Sequence, residues 1–356
     1  LGAQLPLQVA DPQHQLGQRG GARVELDAAQ LLQGDGLAGE VELVLALAEL
    51  GKASQAGEQV RSQVRRDVRV PTPPFWGAQA VTRIKLADVV ECLDRNALYR
   101  LQWGAKNAKG AEWERLKAEF DLKGRDLLRE AERDGWLEPK VVYGYFPVQA
   151  AGNELVVYDP ASIRTKNQEP RTGKGAGGSQ FSVLGSAQEL TRFLFPRQPG
   201  RERLCLADYF RPVESGELDV AAFKIVTMGT RVDDLTEQLQ KDGDYSRGYY
   251  IHGLSVSLAE ALAELTNRLV RQSFGLRAEQ GKRYSWGYPA CPDLDEHAKL
   301  FGILPAEQIG ITLTEAFQLV PEQSTAAIVV HHPEAKYFSI GSAAERADQD
   351  VGVVTA

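Results

Sequence analysis

The sequence predicts an α+β fold in which a mainly antiparallel sheet packs against helices. Hairpin-like pairs of predicted strands lie beside helical segments along the second half of the chain, which is typical of this class. A regular strand–helix–strand repeat, the sign of a parallel sheet, is not found in the sequence. Hydrophobic residues make up 43% and charged residues 25%, which is ordinary for a globular protein.

The first folded part of the chain is predicted to be helical. Apolar residues from Leu86 to Leu101 have helical spacing that is interrupted near Asp94, so we expect two short helices, with Asp94 or Asn96 as a cap. A long helix is expected from Ala111 to Asp134, because apolar residues recur along one face and Gly135 can end it.

Two strands and an insertion follow that long helix. The strands Lys140–Phe146 and Glu154–Tyr158 are expected to form a hairpin through Ala151-Gly152-Asn153. Residues 161–188 are rich in Gly, Ser and Lys and are predicted to be a flexible surface insertion. Their run Gly173–Gly178 is not expected to bind phosphate, because no Gly-Lys-Ser/Thr ends it.

The second half of the chain alternates strands and helices. The predicted strands are Phe193–Phe195, Leu204–Asp208, Ala221–Thr227, Tyr249–His252, Ile328–His331 and Tyr337–Ile340. The predicted helices are Asp233–Lys241, Leu258–Phe274 and residues 293–302. The helix Leu258–Phe274 is expected to stop at Gly275, since glycine readily takes the left-handed conformation after a helix.

Composition and charge exclude several classes of function. A net charge of −7 provides no basic face for nucleic acid, and no apolar run is long enough to cross a bilayer. Three cysteines, Cys92, Cys205 and Cys291, are far apart and odd in number. This argues against a disulfide framework and for a reducing compartment, so we expect a cytoplasmic protein with neither nucleic acid nor membrane as partner.

Residues 1–66 differ in composition from the rest of the chain. No aromatic residue precedes Phe75, and Lys52 is the only lysine before it. Without large apolar surfaces to bury, such a segment loses chain entropy on folding with little return. We therefore predict a poorly ordered or atypical extension, with a single helix over residues 39–66 as the alternative. Residues 346–356 are predicted to be a flexible tail.

The loop from Arg283 to Asp293 is the most informative stretch of the sequence. It reads Arg-Tyr-Ser-Trp-Gly-Tyr-Pro-Ala-Cys-Pro-Asp. Its two prolines fix φ and remove two N–H donors, so the remaining backbone polar groups are held in defined directions. Next to a guanidinium and three aromatic rings, such a loop suits a small ligand that carries a carboxylate. A rigid turn between two helices is the alternative interpretation.

The chain resembles the activation domain of cobalamin-dependent methionine synthase, the module that binds S-adenosylmethionine. The resemblance begins with Arg283 and the Gly287–Pro292 loop and extends over roughly residues 70–340, in the family's order. The other matching blocks are Pro73-Pro-Phe-Trp-Gly77, Val142-Tyr-Gly-Tyr-Phe-Pro147, Phe195-Pro-Arg-Gln198, His252-Gly-Leu-Ser-Val256, Ala259-Glu-Ala-Leu-Ala-Glu264, Leu313-Thr-Glu-Ala-Phe317 and His332-Pro-Glu-Ala-Lys-Tyr337. The resemblance implies a curved antiparallel sheet surrounded by helices, and a folded domain over residues 67–345.

The resemblance also implies which residues bind the ligand. They are Asp94, Glu260, Arg283, Tyr288, Ala290, Tyr337 and Phe338. Two positions differ from the usual pattern: Arg95 replaces a tryptophan that often follows the aspartate, and Phe338 replaces a second tyrosine and lacks its hydroxyl. From the residues alone, Asp94 could equally be a helix cap.

By resemblance, the chain would hold S-adenosylmethionine so that its methyl group passes to reduced cobalamin on another module during methionine biosynthesis. The expected partners are that cobalamin-binding module and a reductant such as flavodoxin or ferredoxin. The chain has no Asp-x-His-x-x-Gly cobalamin loop, so it is not expected to complete the reaction alone. The alternatives are a stand-alone reactivator of a different corrinoid protein and a ligand-binding module without turnover. We expect no catalytic residue, and no metal at His331-His332, since neighbours in a strand face opposite ways.

Overall fold

The computed structural model describes residues 61–165, 181–182, 187–199, 202–277 and 279–340. The predictions for residues 1–60 and for the tail at 346–356 lie outside this part of the chain. So does most of the predicted insertion at 161–188, including the Gly173–Gly178 run.

A single large antiparallel sheet forms the centre of the domain. The strands in the described part of the chain are β1 (Gly77–Val81), β2 (Lys140–Ala151), β3 (Glu154–Tyr158), β4 (Arg164–Thr165), β5 (Phe181–Ser182), β6 (Glu189–Leu194), β7 (Asp219–Thr227), β8 (Lys282–Ser285), β9 (Thr312–Leu313), β10 (Leu319–Val320) and β11 (Ser324–Val330). Seven of them make the large sheet in the order β6-β3-β2-β7-β11-β8, with β1 also paired to β2. Every pairing in that sheet is antiparallel, which confirms the predicted fold class.

Helices cover the sheet, and most of them occur where the sequence predicts them. They are α1 (Leu86–Val90), α2 (Arg95–Ala97), α3 (Gly110–Asp134), α4 (Arg231–Lys241), α5 (Tyr245–Ser273) and α6 (Glu296–Ile303). A π-helical turn, Leu98–Gln102, follows α2. None of the helices described is both long enough and apolar enough to pass through a membrane.

The ends of two helices follow the sequence signals. Asp94 is the cap of α2, because its Oδ1 accepts a hydrogen bond from the Ala97 amide at 2.9 Å. Gly135 ends α3 in the left-handed conformation at φ +69°, and its amide donates to the carbonyl of Ala131 at 2.8 Å. Both predictions from the sequence are therefore confirmed.

The central strand β7 separates two apolar layers. Alternate residues of a strand face opposite sides, so Phe223 and Ile225 pack in one buried cluster with Trp286 of the predicted ligand loop. Ala222 and Val226 face the other side, where α5 lies. The sheet therefore has a loop face, packed on the Arg283–Asp293 loop, and a helix face, packed on α5.

Three predicted strands are wrong. The predicted strand Tyr249–His252 lies inside α5, because Ile251, Leu254 and Leu258 continue one buried helical face. The predicted strand Leu204–Asp208 contains instead a 3₁₀ turn, Leu206–Tyr209. Residues 337–340 form no strand; their place against the domain depends on side-chain contacts. Strand propensity in a short aromatic run was outweighed by tertiary packing.

Residues 61–66, predicted to belong to the extension, are packed against the domain. The hydroxyl of Ser62 donates to the Asp208 carboxylate at 2.7 Å, and Val64 packs against the loop-face core. His332 bonds through Nε2 to the backbone carbonyl of Arg65 at 2.9 Å. The folded domain therefore includes these six residues, because buried polar groups of the domain use them as partners.

Candidate functional site

The short edge strand β8 places Arg283 on the helix face of the sheet. Arg283 pairs with Val329 of β11, and Tyr284 pairs with Ile328. Val329 packs with Val270 of α5, whereas Ile328 belongs to the loop-face core. Because cross-strand partners share a face, Arg283 points toward α5 and Tyr284 points the other way. The sequence did not predict β8, although it predicted the importance of Arg283.

Arg283 is held by a carboxylate of α5. Its Nη2 donates to Oε2 of Glu260 at 2.7 Å, and the Arg283 side chain is 18% exposed while that of Glu260 is 40% exposed. The second terminal nitrogen, Nη1, is buried and has no hydrogen-bond partner among the described residues. An unpaired guanidinium nitrogen is costly when it is buried, so this nitrogen is available for an acceptor from a ligand.

The loop after β8 is a tight turn fixed by its own backbone. The Gly287 amide donates to the carbonyl of Cys291, and the Cys291 amide donates to that of Tyr288, both at 2.9 Å. Gly287 has φ +85°, and a Cβ there would lie 3.1 Å from the Leu294 side chain. The thiol of Cys291 donates to the Ser285 carbonyl at 3.0 Å. The loop is therefore rigid, as its prolines indicated.

A cleft of about 530 Å³ lies between this loop and the segment at 337–339. Its walls include five of the seven predicted ligand residues, namely Arg283, Tyr288, Ala290, Tyr337 and Phe338. Tyr288 and Tyr337 are 55% and 68% exposed, whereas Ala290 is buried. Arg283 and two exposed rings therefore share one open site, and Glu260 is joined to it through Arg283.

Tyr284 organises the far wall of the cleft, and sequence reasoning missed this residue. Its hydroxyl donates to the Lys336 carbonyl at 2.7 Å. Its ring centroid lies 5.5 Å from that of Tyr337 and 6.4 Å from that of Phe338. These contacts hold the 336–338 segment without strand pairing. The signal in the sequence was its position directly after Arg283, since neighbours in an extended segment face opposite sides.

Asp94 is the predicted ligand residue for which the structure shows another role. Its side chain caps α2, and it is not among the residues of the cleft wall. The helix cap, which the sequence left as the alternative for Asp94, is thus the role with a visible contact. The part of Asp94 in ligand binding stays a prediction.

The site is electrostatically polarised. The Glu260 carboxylate is the main cause of a raised pKa for the Tyr288 hydroxyl, burial adds to it, and Arg283 opposes it. Burial raises the pKa of the Cys291 thiol to about 12, with a further contribution from Asp293. At neutral pH both groups are therefore neutral, and the charges of the site belong to Arg283 and Glu260.

His331 and His332 point to different partners. His331 Nε2 lies 2.6 Å from Oδ1 of buried Asp219, whereas His332 Nε2 bonds to the backbone of Arg65. This divergence is the one expected of neighbours at the end of a strand. Burial lowers the pKa of His332, so this imidazole is neutral at pH 7.

Comparison with known proteins places the chain in a family. Residues 109–351, more than half of the chain, match the family model of the vitamin B12 dependent methionine synthase activation domain. The chain belongs to this family. Methionine synthase from Mycobacterium tuberculosis is 37% identical over 308 residues, which are 79% of this chain and 24% of the relative. Methionine synthase from Mycobacterium leprae is 34% identical over 313 residues, with the same shares.

The activation-domain fold is also found among solved structures. A crystal structure of the MetH reactivation domain bound to AdoHcy superimposes with a TM-score of 0.66 at 21% identity. The match covers 85% of this chain and 93% of that one, which shows a shared fold. The chain spans about a quarter of the length of the curated relatives, so it corresponds to one region of a methionine synthase.

Proposed function

We propose that this activation domain binds S-adenosylmethionine in the Arg283 cleft and presents its methyl group to cobalamin held by another module of methionine synthase. The buried, unpartnered Nη1 of Arg283 is the observation that carries the proposal. Family membership supports the same conclusion, and so does the AdoHcy in the similar reactivation domain, since AdoHcy is the demethylated form of that ligand.

The residues of the cleft fit the groups of S-adenosylmethionine. Arg283 can donate a hydrogen bond from its unpartnered Nη1 to the carboxylate while keeping its bond to Glu260, and a charge-assisted contact of this kind is strong. Glu260, 40% exposed, can hold the α-ammonium. The exposed rings of Tyr288 and Tyr337 supply faces for the adenine or for the positively charged sulfonium. Ala290 acts through its backbone, and Phe338 supplies a ring without a hydroxyl.

The chemistry needs positioning more than proton transfer. The methyl carbon leaves the sulfonium, which keeps the bonding electron pair and becomes the thioether of S-adenosylhomocysteine. When bound by its own module, reduced cobalamin supplies the nucleophile for this transfer. This chain contributes a fixed orientation and a partly enclosed site.

The open side of the cleft is the place for the partner. Tyr288 and Tyr337 remain more than half exposed, so a ligand held between them is accessible to a second module. We assign residues 67–345, with the packed segment 61–66, to the domain. The electron donor, for which flavodoxin or ferredoxin is the candidate class, would act on the cobalamin module. A cytoplasmic location follows from this role.

Titration calorimetry with S-adenosylmethionine tests the proposal. We expect binding to the parent chain and a loss of about ten- to hundredfold in affinity for Arg283→Met, because a charge-assisted contact contributes about 1.5–3 kcal/mol. Arg129→Met is the control, since Arg129 is 75% exposed and pairs with Asp126 on α3. Equal affinity for parent and Arg283→Met would contradict the assigned site.

A further inference from the structure

Lys224 is a buried lysine in the central strand β7, on the face of the sheet that carries Arg283. Its side chain is among the largest fully buried ones, and Lys224 is 1% exposed. The ammonium donates a hydrogen bond to the backbone carbonyl of Ala263 in α5. Among the described residues no carboxylate lies within ion-pair distance of it. A lysine is almost never buried in this way without a partner, so its position calls for a function.

The hydrogen bond of Lys224 is made to the turn of α5 that carries Glu260 and Glu264. Ala263 lies between Glu260 and Glu264, which are one helical turn apart. Lys224 of β7 pairs with Ala327 of β11, which in turn pairs with Ser285 of β8. Arg283 is two residues from Ser285 and therefore on the same face. Lys224 and Arg283 therefore lie on the same face of the sheet, which is the face packed against α5.

Charged and titratable groups face Lys224 from three elements. Burial lowers the pKa of its amine well below the ordinary value; Arg283 on β8 lowers it further, whereas Glu264 and Glu260 on α5 raise it. From β2, Tyr143 is the cross-strand partner of Lys224, and burial raises the pKa of that hydroxyl. Strand β11 contributes the apolar partner Ala327. The carboxylates of α5 are therefore the groups that favour a charged amine.

We propose that Lys224 is a positioning residue of the ligand site, which ties the Glu260–Glu264 turn of α5 to the sheet through its hydrogen bond to Ala263 and, when protonated, adds a positive charge to the surroundings of the two carboxylates. Through this contact Glu260 is held where it can pair with Arg283 and, given the proposed function, receive the ammonium of S-adenosylmethionine. We expect that the folding free energy does not require the lysine, because a buried polar amine without an ion-pair partner is destabilising compared with an apolar side chain of similar size.

The variant Lys224→Met distinguishes a role in ligand binding from a role in stability. Methionine fills a similar volume without a charge, so the melting temperature should stay the same or rise. The affinity for S-adenosylmethionine, measured by calorimetry at pH 7, should fall tenfold or more, since Glu260 loses its anchor. Lys140→Met is the matched control in β2, where Lys140 pairs with Glu138 at 3.3 Å and lies outside the cleft wall. It should leave the affinity unchanged.

The pH dependence of the ligand affinity distinguishes an electrostatic role of Lys224 from a role in packing alone. Only the protonated amine carries the charge opposite Glu260 and Glu264. The ratio of parent to Lys224→Met affinity should therefore be largest at low pH and decrease as pH rises and the amine loses its proton. Titration of the ligand itself cancels in this ratio, because both proteins bind the same ligand.

A measurement without ligand keeps this inference separate from the proposed function. Hydrogen exchange of the amides at 260–267 should be faster in Lys224→Met than in the parent, while the rest of α5 is unchanged. If the parent chain fails to bind S-adenosylmethionine, the proposed function is contradicted. The exchange measurement still tests whether Lys224 holds the Glu260–Glu264 turn. Equal exchange at 260–267 in both proteins, or equal ligand affinity with a pH-independent ratio, would overturn the role given to Lys224.

Discussion

In Arg283 one terminal nitrogen has a hydrogen-bond partner and the other has none among the described residues. Nη2 is occupied by Glu260 at 2.7 Å, so the guanidinium is oriented before any ligand arrives. Nη1 is buried and without a partner in the described residues, so the cost of its desolvation is already incurred in the free protein. A ligand carboxylate that reaches it gains a contact with little further loss.

The planar shape of the guanidinium is part of this arrangement, and Arg283→Lys tests it. A lysine keeps the charge, but its single nitrogen cannot serve Glu260 and a ligand with the fixed fork of an arginine. We expect an affinity for S-adenosylmethionine between those of the parent and Arg283→Met, measured by calorimetry at one salt concentration. Full affinity in the lysine variant would show that charge alone is recognised.

The cysteines should differ in reactivity. Burial raises the pKa of Cys291 to about 12, and the pKa of Cys205 is raised to about 12 for the same reason. Since the thiolate is the reactive form, only about one such thiol in ten thousand is ionised at pH 8. Alkylation at pH 8, followed by peptide mass spectrometry, should label the partly exposed Cys92 first. Rapid labelling of Cys291 in the folded protein would contradict this order, with the denatured chain as control.

At the scale of elements, local signals predicted ends better than beginnings. Gly135 and Gly275 end α3 and α5 as expected, because glycine takes the left-handed conformation at little cost. The start of α5 was placed thirteen residues too late (Leu258 against Tyr245), since its first turns contain two glycines and three tyrosines. Their helical state comes from burial of Ile251 and Leu254, which a local pattern cannot show. Strand β8 is four residues long, and its pairing with β11 depends on the tertiary structure, which a local pattern cannot show.

Variants of Asp94, which caps the short helix α2, test the role of this residue. Asp94→Ala should destabilise the domain by about 0.5–2 kcal/mol, because the cap on the Ala97 amide is lost. Asp94→Asn keeps an oxygen acceptor and should have nearly the stability of the parent. Thermal unfolding of both variants measures this difference. Should Asp94→Asn bind S-adenosylmethionine much more weakly at unchanged stability, the carboxylate would have a ligand role beyond the cap.

At the scale of the whole molecule, the fold was predictable but the site was predictable only with the family resemblance. Alternation and helical spacing were enough for an antiparallel sheet under helices. No local pattern joins Glu260 on α5 to Arg283 on β8, since they are distant in sequence and meet only through the β8–β11 pairing. Tyr284 and Lys224 were not predicted as parts of the site, because their roles depend on which face of the sheet they occupy.

The amino-terminal boundary of the folded domain can be tested at this scale. A chain that starts at residue 67 should be less stable than one that starts at residue 61, because the bonds from Ser62 and Arg65 to Asp208 and His332 are lost. Hydrogen bonds to a charged group contribute about 1.5–3 kcal/mol, which corresponds to about 3–6 °C in the melting temperature of a domain this size. Equal melting temperatures would show that residues 61–66 add nothing to the fold.

Methyl transfer between two separate polypeptides tests the central claim most directly. The chain is mixed with a cobalamin-bearing module of methionine synthase, a reductant and S-adenosylmethionine labelled in its methyl group, and the label on cobalamin is measured. We predict transfer that depends on this chain and is strongly reduced by Arg283→Met, while Arg129→Met transfers normally. Absence of transfer in the complete mixture, or equal transfer with Arg283→Met, would contradict the assignment of this cleft as the site that delivers the methyl group.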